Sequence, residues 1–384
     1  MRAYAAPIAA TSVLVAALTA IQWGVDGNGR ADLRIYYRSV TSMGSGHLYD
    51  YGTHGWNFLY PPAAALVLAP LGLVGEDAAT RVWLVVSIGL GLLALGAALW
   101  ALDAVVSVRR IPRRWIPVAA AVGLWSIPAF LSLQMGQINP LIAALVALDA
   151  VALTRRSRWG GLAIGVAAAL KVTPLLLIVA LVWSGRRRDA GRAALSFVVA
   201  GLVGLAVLPD ETARFWSDVV FGASTVGGRA NPLNASLYSV AGLVTDHAAS
   251  ATALWLVASG VVMIGAAATL RHRFADDVIG AVTMVMCVTY LVSPLTWVHH
   301  QWFATVALAL WIVRGVRPVD AVVIAVGALA LFDPLGLGES SMPRTLLLVA
   351  FVTGSAVALP KISMSPTASP KMFAVRKENR VSHV

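Results

Sequence analysis

Charged residues are scarce in this chain, at 12% of 384 residues, whereas 59% of the residues are hydrophobic. Soluble domains carry about 25% charged and roughly 45–50% apolar residues. A soluble protein with the composition of this chain would expose large apolar patches to water. The composition therefore excludes an ordinary globular protein and predicts an integral membrane protein.

Cysteine is almost absent, since Cys287 is the only one. A single thiol excludes a disulfide framework, a thiolate zinc site and a CxxC redox pair. The Walker loop, a GxGxxG motif after a strand, the GxSxG elbow and the HExxH spacing are also missing. These absences argue against a nucleotide-driven machine, a soluble-type hydrolase and a zincin.

Long apolar runs are present, rather than ten-residue segments of alternating polarity. In lipid, every backbone polar group must be bonded within helices or closed barrels, so the runs predict an all-α polytopic membrane protein. We expect about 10–12 transmembrane helices with re-entrant half-helices. The ten clearest spans are predicted at 5–24, 82–106, 115–133, 140–154, 193–208, 251–270, 278–295, 302–314, 319–335 and 344–359.

Arginine provides most of the positive charge and predicts the orientation of the chain. The formal net charge is +11, and lysine is rare before the C-terminal tail. No basic stripe interleaved with aromatics exists, so nucleic acid is not expected as a partner. By the positive-inside rule, connections rich in arginine face the cytoplasm. Five short connections are rich in arginine: 109–114, 155–158, 186–192, 271–273 and 314–317.

The sequence predicts one transmembrane domain, 1–360, followed by a disordered cytoplasmic tail, 361–384. The stretch 159–184 begins and ends at arginine clusters on the same side, so two half-helices are predicted to meet near Lys171, just before Pro174. The stretch 58–75 is also broken by prolines. It either re-enters or spans together with an additional crossing.

With this orientation, the polar segments outside the arginine connections share the extracytoplasmic face. They supply carboxylate, amide, imidazole and aromatic groups, which suit chemistry on polar, hydroxyl-rich molecules. The segments are the first extracytoplasmic loop 25–57, the connection 134–140, the loop 209–235 and the segment 293–300.

Asp32 is the best candidate for a general base, because it follows the first span within an amphipathic segment that also contains Leu33, Tyr36 and Tyr37. We expect these three side chains to face the membrane. Partial desolvation at the boundary would raise the pKa of the Asp32 carboxyl, as a base requires. The alternative is an aspartate that only caps an interfacial helix.

Lys171 interrupts an apolar run, and intramembrane lysines are usually functional. Its ammonium group is suited to a lipid phosphate or pyrophosphate. The alternatives are a lysine that snorkels to the interface and a buried pair with Asp149. Of the adjacent His299 and His300, one could bind a sugar hydroxyl or a phosphate while its neighbour packs.

Taken together, these motifs resemble the polyprenol-phosphate-mannose-dependent α-(1,2)-mannosyltransferases of the actinobacterial cell envelope, within the C-type glycosyltransferase superfamily. Their order and spacing match over roughly 30–305. The last helices and the tail carry no motif. The motifs are 32–37 (DLRIYY), 47–49 (HLY), 58–62 (FLYPP), 136–139 (GQIN), 160–174, 231–236 (NPLNAS) and 293–300 (SPLTWVHH).

The resemblance implies an inverting transferase in the plasma membrane that moves mannose from a polyprenyl-phosphate mannose donor to the 2-hydroxyl of a phosphatidylinositol mannoside. Asp32 would be the catalytic base, in a catalytic first loop on the extracytoplasmic face. The donor phosphate would meet Lys171, His299, His300 and Arg34. The sugars and the acceptor would be bound by Tyr36, Tyr60, Gln137, Asn139, Asn231, Asn234 and Trp297.

No metal and no cofactor are expected, because cations can neutralise a lipid monophosphate and no second acidic residue directly follows Asp32. Other functions remain open. A lipomannan-branching transferase or an arabinofuranosyl transferase would use much the same scaffold. A transporter or flippase of lipid-linked sugars would also have broken helices and an intramembrane lysine, although no internal inverted repeat is evident.

Overall fold

The computed structural model describes residues 2–24, 30–51, 57–103, 112–220, 234–315, 317–333 and 342–360. Over these residues the chain is helical and contains no strand beyond one isolated bridge between Asn234 and Trp297. The all-α prediction is confirmed. The predicted tail 361–384 and Asn231 lie outside the described residues.

Seventeen α-helices follow one another along the described chain. They are α1 (Arg2–Trp23), α2 (Ala31–Thr41), α3 (Pro62–Leu68), α4 (Glu76–Asp103), α5 (Ile116–Gly123), α6 (Ile127–Met135), α7 (Asn139–Thr154), α8 (Leu162–Leu170), α9 (Leu175–Trp183), α10 (Arg187–Val207), α11 (Pro209–Arg214), α12 (Leu237–Val244), α13 (Ala248–Asp276), α14 (Val278–Val292), α15 (Trp302–Arg314), α16 (Pro318–Phe332) and α17 (Met342–Ala358).

Four of these helices, α1, α4, α10 and α13, are long and apolar enough to cross a membrane. The shorter apolar helices pack among them. In α14, for example, 14 of the 15 residues are buried, whereas α10 buries only Ala190, Ala193 and Gly204. The long helices α1, α10 and α13 therefore provide much of the lipid-facing surface, whereas α4 is half buried and α14 belongs to the core. The chain is a multi-pass membrane protein.

The predicted span 115–133 is not straight, because α5 and α6 meet at an angle of 63°. Ser126 is extended at the junction, and Pro128 follows in the first turn of α6. Proline has no N–H to continue the ladder of the preceding helix, so the bend occurs here. This segment is thus a sharply bent pair of helices, which is either one broken span, in agreement with our prediction, or a re-entrant loop.

The predicted break at Lys171 is confirmed. Helix α8 ends at Leu170, Lys171 itself is extended (φ −149°, ψ 123°), and α9 begins after Pro174. A tight crossing of α8 and α10 fixes the position of this break. A Cβ atom on Gly165 would come within 2.0 Å of the Ala193 carbonyl oxygen, so only glycine allows this approach.

The stretch 58–75 contains one continuous helical segment, Pro62–Leu73, formed by α3 and a 3-10 turn. Its 12 residues reach about 18 Å at ~1.5 Å per residue, which is short of a ~30 Å hydrocarbon core. Helix α3 packs against α2, α8 and α10 inside the protein. These observations favour the re-entrant alternative.

Four of the arginine-rich connections share one end of the molecule. Arg155 lies over the Trp100 ring at 4.2 Å, and Arg186 donates to the Leu153 and Phe274 carbonyl oxygens at 3.0 and 3.2 Å. A cluster of Arg273, Asp277 and Arg314 continues this end. We call it the arginine end.

Helix α2 lies at the other end of α4. Its Arg34 is 3.3 Å from Glu76, the first residue of α4, whereas Trp100 at the arginine end is 24 residues further along that helix. At 1.5 Å per residue the two ends are about 36 Å apart, which exceeds the thickness of the hydrocarbon core.

Candidate active site

Asp32 lies in the first turn of α2, and this short helix is held inside the protein. Leu33 and Tyr36 are each 2% exposed, and Leu33 packs against Gly136. Our expectation that these two residues face the membrane is therefore wrong. The capping alternative for Asp32 is also wrong, because Arg30 occupies the N-cap without a side-chain capping bond and the Asp32 carboxylate accepts a hydrogen bond from Gln137 instead.

Gln137 connects α2 to the rest of the site. It follows Gly136, which ends α6 in the left-handed conformation (φ 70°) and whose carbonyl oxygen accepts from Trp83 Nε1 at 2.9 Å. The Gln137 Oε1 accepts from the hydroxyls of Tyr36 and Tyr60, both at 3.0 Å. The two tyrosines thereby turn the amide nitrogen of Gln137 towards the Asp32 carboxylate and towards His299 Nε2, which is 3.2 Å away.

The side chain of Asn139 connects the Gln137 amide to Lys171. Lys171 Nζ donates to Asn139 Oδ1 at 2.7 Å, and Asn139 Nδ2 donates to the His299 carbonyl oxygen at 3.0 Å. The ammonium group also lies 5.4 Å from the centre of the Tyr60 ring. The pairing of Lys171 with Asp149 is excluded, because the Asp149 carboxylate accepts from the backbone N–H groups of Gly161 and Ile164 at the start of α8.

The segment 293–301 closes the site from the side of α14. Trp297 stacks on His299 with an interplanar angle of 15°, and His300 meets His299 edge to face. Asn234 supports the segment, since its side-chain amide bonds the Pro294 carbonyl oxygen at 3.0 Å and the Thr296 N–H at 2.9 Å. Because Asn234 is 1% exposed, its geometry favours positioning this segment over binding a sugar.

A cavity of about 600 Å³ lies between these elements. One part of its wall is polar, and the other part is formed by apolar side chains from α9, α14 and the segment after α11. The polar wall comprises Asp32, Tyr36, Tyr60, Gln137, Lys171, Trp297 and His300, and the apolar wall includes Leu176, Phe215, Val220, Val292 and Leu295. The cavity therefore suits an amphipathic ligand.

Desolvation dominates the acid–base behaviour of Asp32 and raises the pKa of its carboxyl to about 6. The hydrogen bond from Gln137 and the charge of Lys171 act in the opposite direction and keep the value from rising further. The carboxylate is thus ionised near neutral pH, yet has more affinity for a proton than an exposed aspartate. This is the property required of a general base.

The structure does not bring Arg34 to this cavity. Its guanidinium group is 3.3 Å from Glu76, and it lines a separate cavity with Trp23 and Asp77. Asp32 and Arg34 are two residues apart on a helix and so point to different faces. Arg34 therefore does not fit the role of a donor-phosphate ligand that we expected.

Of the two histidines, His300 lines the cavity and His299 lies behind it against Gln137. Burial lowers the pKa of His299 to about 3, which keeps the ring neutral beside the Gln137 amide. Two supporting residues were not predicted from the sequence. Trp83 donates to the Gly136 carbonyl oxygen, and Ser132 accepts from the Asn139 amide. No local pattern relates Trp83 to a turn 53 residues away.

Within the described part of the chain, no three His, Cys, Asp or Glu side chains come together as potential metal ligands. The charged groups of the cavity are instead one carboxylate and one ammonium, held apart by the neutral amides of Gln137 and Asn139. Such a site can accept a proton at one place and stabilise an anion at another.

A family model, that of glycosyltransferase family 87, matches residues 58–294. The chain belongs to this family. The matched range includes Tyr60, Gln137, Asn139 and Lys171, whereas Asp32 precedes it and the two histidines follow it. The protein is therefore a membrane glycosyltransferase.

Curated relatives of this glycosyltransferase carry names that agree with the family. A polyprenol-phosphate-mannose-dependent alpha-(1-2)-phosphatidylinositol pentamannoside mannosyltransferase of Mycolicibacterium smegmatis is 28% identical over 79% of this chain and 75% of its own length. The protein of the same name from Mycobacterium tuberculosis is 30% identical over 76% of this chain and 68% of its own length. An alpha-(1-2)-phosphatidylinositol mannoside mannosyltransferase from M. tuberculosis is 29% identical over 74% and 71%.

Proposed function

We propose that this glycosyltransferase transfers mannose from polyprenyl-phosphate mannose to the 2-hydroxyl of a phosphatidylinositol mannoside and forms an α-(1,2) linkage. The names of the relatives support the donor and the class of acceptor. The observation that carries the proposal is that one cavity contains both a carboxylate of raised pKa, Asp32, and a buried ammonium group, Lys171.

Asp32 is the base in this proposal. Its carboxylate accepts the proton of the acceptor 2-hydroxyl as the hydroxyl oxygen attacks the anomeric carbon of the donor. The new C–O bond forms on the face opposite the phosphate, so the β-linked donor gives an α-linked product. Gln137 orients the carboxylate, and the two tyrosine hydroxyls orient Gln137.

Lys171 assists departure of the leaving group. As the bond between the anomeric carbon and the phosphate oxygen breaks, its electron pair remains on the polyprenyl phosphate. An ammonium group held by Asn139 in a cavity wall stabilises this developing charge without reorganising. His300 lines the same wall and is available to donate a hydrogen bond to the phosphate.

The apolar part of the cavity suits the polyprenyl chain. Leu176 on α9 and Val292 on α14 line it together with Phe215 and Val220. The outer surface of α9 beside this wall includes Val179, which is 61% exposed. A lipid tail could therefore pass from the bilayer towards the polar wall without crossing water.

The extracytoplasmic face of the plasma membrane is the proposed location of the site. The support is the separation of about 36 Å along α4 between Glu76, beside α2, and Trp100, at the arginine end. The positive-inside rule assigns the arginine end to the cytoplasm, so the cavity belongs to the other side.

The proposal is tested by incubating membranes containing the protein with radiolabelled polyprenyl-phosphate mannose and a phosphatidylinositol mannoside. We expect an elongated glycolipid whose new mannose is released by an α-(1,2)-specific mannosidase. Asp32→Asn should lower transfer at least about 10³-fold, because the amide cannot accept the proton. Asp246→Asn is the matched control, since it removes an exposed carboxylate between α12 and α13.

Full transfer by Asp32→Asn would contradict the role of Asp32. Label that only changes leaflet would favour a flippase, and transfer of arabinofuranose or transfer only to lipomannan would replace the proposed substrates. Retention of the thermal unfolding temperature by Asp32→Asn in detergent shows that lost transfer does not reflect misfolding.

A further inference from the structure

A second large cavity, of about 810 Å³, lies at the arginine end and takes no part in the proposed reaction. It is formed where the connection after α7 meets the start of α10 and the end of α13. Six arginines and one aspartate are among its lining residues in the described chain, which leaves five net positive charges around one opening. Such a concentration of like charge is unfavourable unless an anion balances it.

The arginines form two layers. Arg186 and Arg192 are half-buried and both pair with Asp189, so they neutralise the acid and shape the floor of the cavity. Arg192 also donates to the Gly160 carbonyl oxygen at 2.7 Å. The outer layer consists of four exposed arginines around the opening: Arg156, Arg158, Arg187 and Arg188.

Arg156 is held in an unfavourable backbone conformation. Its φ is +51°, in the left-handed region that glycine favours. The residue closes α7 in a Schellman motif, with its N–H bonded to the Leu153 carbonyl oxygen and the Ser157 N–H bonded to that of Ala152. Arginine at this position is less stable than glycine, and its side chain lines the cavity. Strain of this kind often accompanies function.

The surroundings of the cavity indicate that its ligand comes from the membrane. Trp159, on the connection after α7, and Trp183, the last residue of α9, are 59% and 61% exposed. Exposed tryptophans are typical of the level of lipid headgroups. Beyond them, the α9 and α10 surfaces are apolar and exposed, with Val182 and Leu195 at 56% and 61%.

We propose that this cavity binds the phosphate-bearing headgroup of an anionic phospholipid from the leaflet at the arginine end. The outer arginines bind the phosphate oxygens through charge-assisted hydrogen bonds. The inner layer holds α7, α8 and α10 around the headgroup. Since α8 carries Lys171 at its end and crosses α10 tightly, a lipid bound here also stabilises the scaffold of the first cavity.

The test is the binding of phosphatidylglycerol to the purified full-length protein in detergent, measured by native mass spectrometry and by the rise in unfolding temperature. Phosphatidylcholine and free glycerol phosphate are the comparison ligands. We expect phosphatidylglycerol alone to bind tightly, and Arg187→Gln/Arg188→Gln to weaken its binding at least tenfold. Arg114→Gln/Arg271→Gln removes the same charge from exposed positions outside the cavity and should leave the affinity within twofold.

The variant Arg156→Gly best distinguishes a role of Arg156 in lipid binding from a role in stability alone. The lipid-free unfolding temperature should stay equal or rise, because glycine fits the left-handed position, whereas phosphatidylglycerol affinity should fall several-fold. Equal weakening by Arg114→Gln/Arg271→Gln would show nonspecific attraction and overturn the proposal. Equal binding of glycerol phosphate would overturn the assignment to a lipid.

Discussion

Two aspartates at opposite ends of the molecule show how surroundings distinguish a carboxylate that is fully paired within the protein from one that stays open to a ligand. Asp277, at the arginine end, accepts two hydrogen bonds from Arg314 at 2.6 and 2.9 Å, another from Arg273 and one from the Gly280 N–H. Asp32 accepts from the neutral Gln137 and faces a cavity. The first carboxylate is fully compensated, whereas the second keeps lone pairs for a ligand.

The same contrast holds for the cations. Arg314 and Arg273 are committed to Asp277 and to backbone carbonyl oxygens of the C-terminal segment. Lys171 bonds a neutral amide oxygen and borders the cavity. In the cluster of Arg273, Asp277 and Arg314 the cations thus pair directly with the carboxylate. Around Asp32, neutral amides keep cation and anion apart, so that a ligand can come between them.

Removal of Asp277 should have the largest effect on stability. Asp277→Ala leaves two buried guanidinium groups uncompensated, and we expect a loss of about 3–5 kcal/mol in the free energy of unfolding. The unfolding temperature in detergent measures this loss. The fraction that remains folded should keep normal transfer activity. A stable Asp277→Ala protein without activity would contradict the purely structural role that we assign to Asp277.

Removal of the Lys171 charge should mainly affect the chemical step. Lys171→Met is expected to lower kcat about 10²–10³-fold, because the leaving phosphate loses its stabilising ammonium group. Its unfolding temperature should change much less than that of Asp277→Ala, since the Lys171 ammonium donates to a neutral amide oxygen rather than to a carboxylate. Single-turnover transfer with labelled donor is the measurement, and Lys171→Arg should recover part of the rate. An unchanged rate in Lys171→Met would remove Lys171 from the mechanism.

The tyrosine that orients Gln137 should have a smaller effect. Tyr60→Phe removes one hydrogen bond to the Gln137 Oε1 but retains the ring beside Lys171. One such bond is worth about 1 kcal/mol, so kcat should fall roughly 5–10-fold with little change in KM. A change confined to KM would indicate that Tyr60 binds substrate rather than positions Gln137.

Arg34 should have almost no effect, although it lies two residues from Asp32. Arg34→Gln breaks a partly exposed pair with Glu76 outside the cavity. Such pairs contribute about 0–1 kcal/mol. Transfer should therefore remain within about twofold of the wild type in the same assay. A loss as large as that of Lys171→Met would restore Arg34 as a phosphate ligand and change the placement of the donor.

The sequence was sufficient for features that depend on local chemistry. Apolar runs predicted the helical class, and Lys171 before Pro174 predicted the break between α8 and α9. The charge pattern grouped five arginine connections, and the structure brings four of them together at one end. Each of these features follows from residues that are close in the chain, where periodicity and proline geometry act directly.

Features that depend on distant contacts were not predictable in the same way. The amphipathic pattern of α2 gives one apolar face but not what covers it, and the protein rather than lipid covers Leu33 and Tyr36. Pairing of Gln137 with Asp32 joins residues 105 positions apart. The separation of Arg34 from the cavity likewise depends on how α2 is rotated against α4, which no local motif specifies.

The pH dependence of transfer tests the central assignment of Asp32 most directly. Its carboxyl has a pKa raised to about 6, so kcat/KM should fall tenfold per pH unit below about 6. Because a raised carboxyl pKa means that the folded state binds this proton more strongly than the unfolded chain, protonation of Asp32 adds stability as the pH falls. Lost activity with a retained unfolding temperature is therefore the expected result. An acidic limb that persists unchanged in the residual activity of Asp32→Asn would contradict the account.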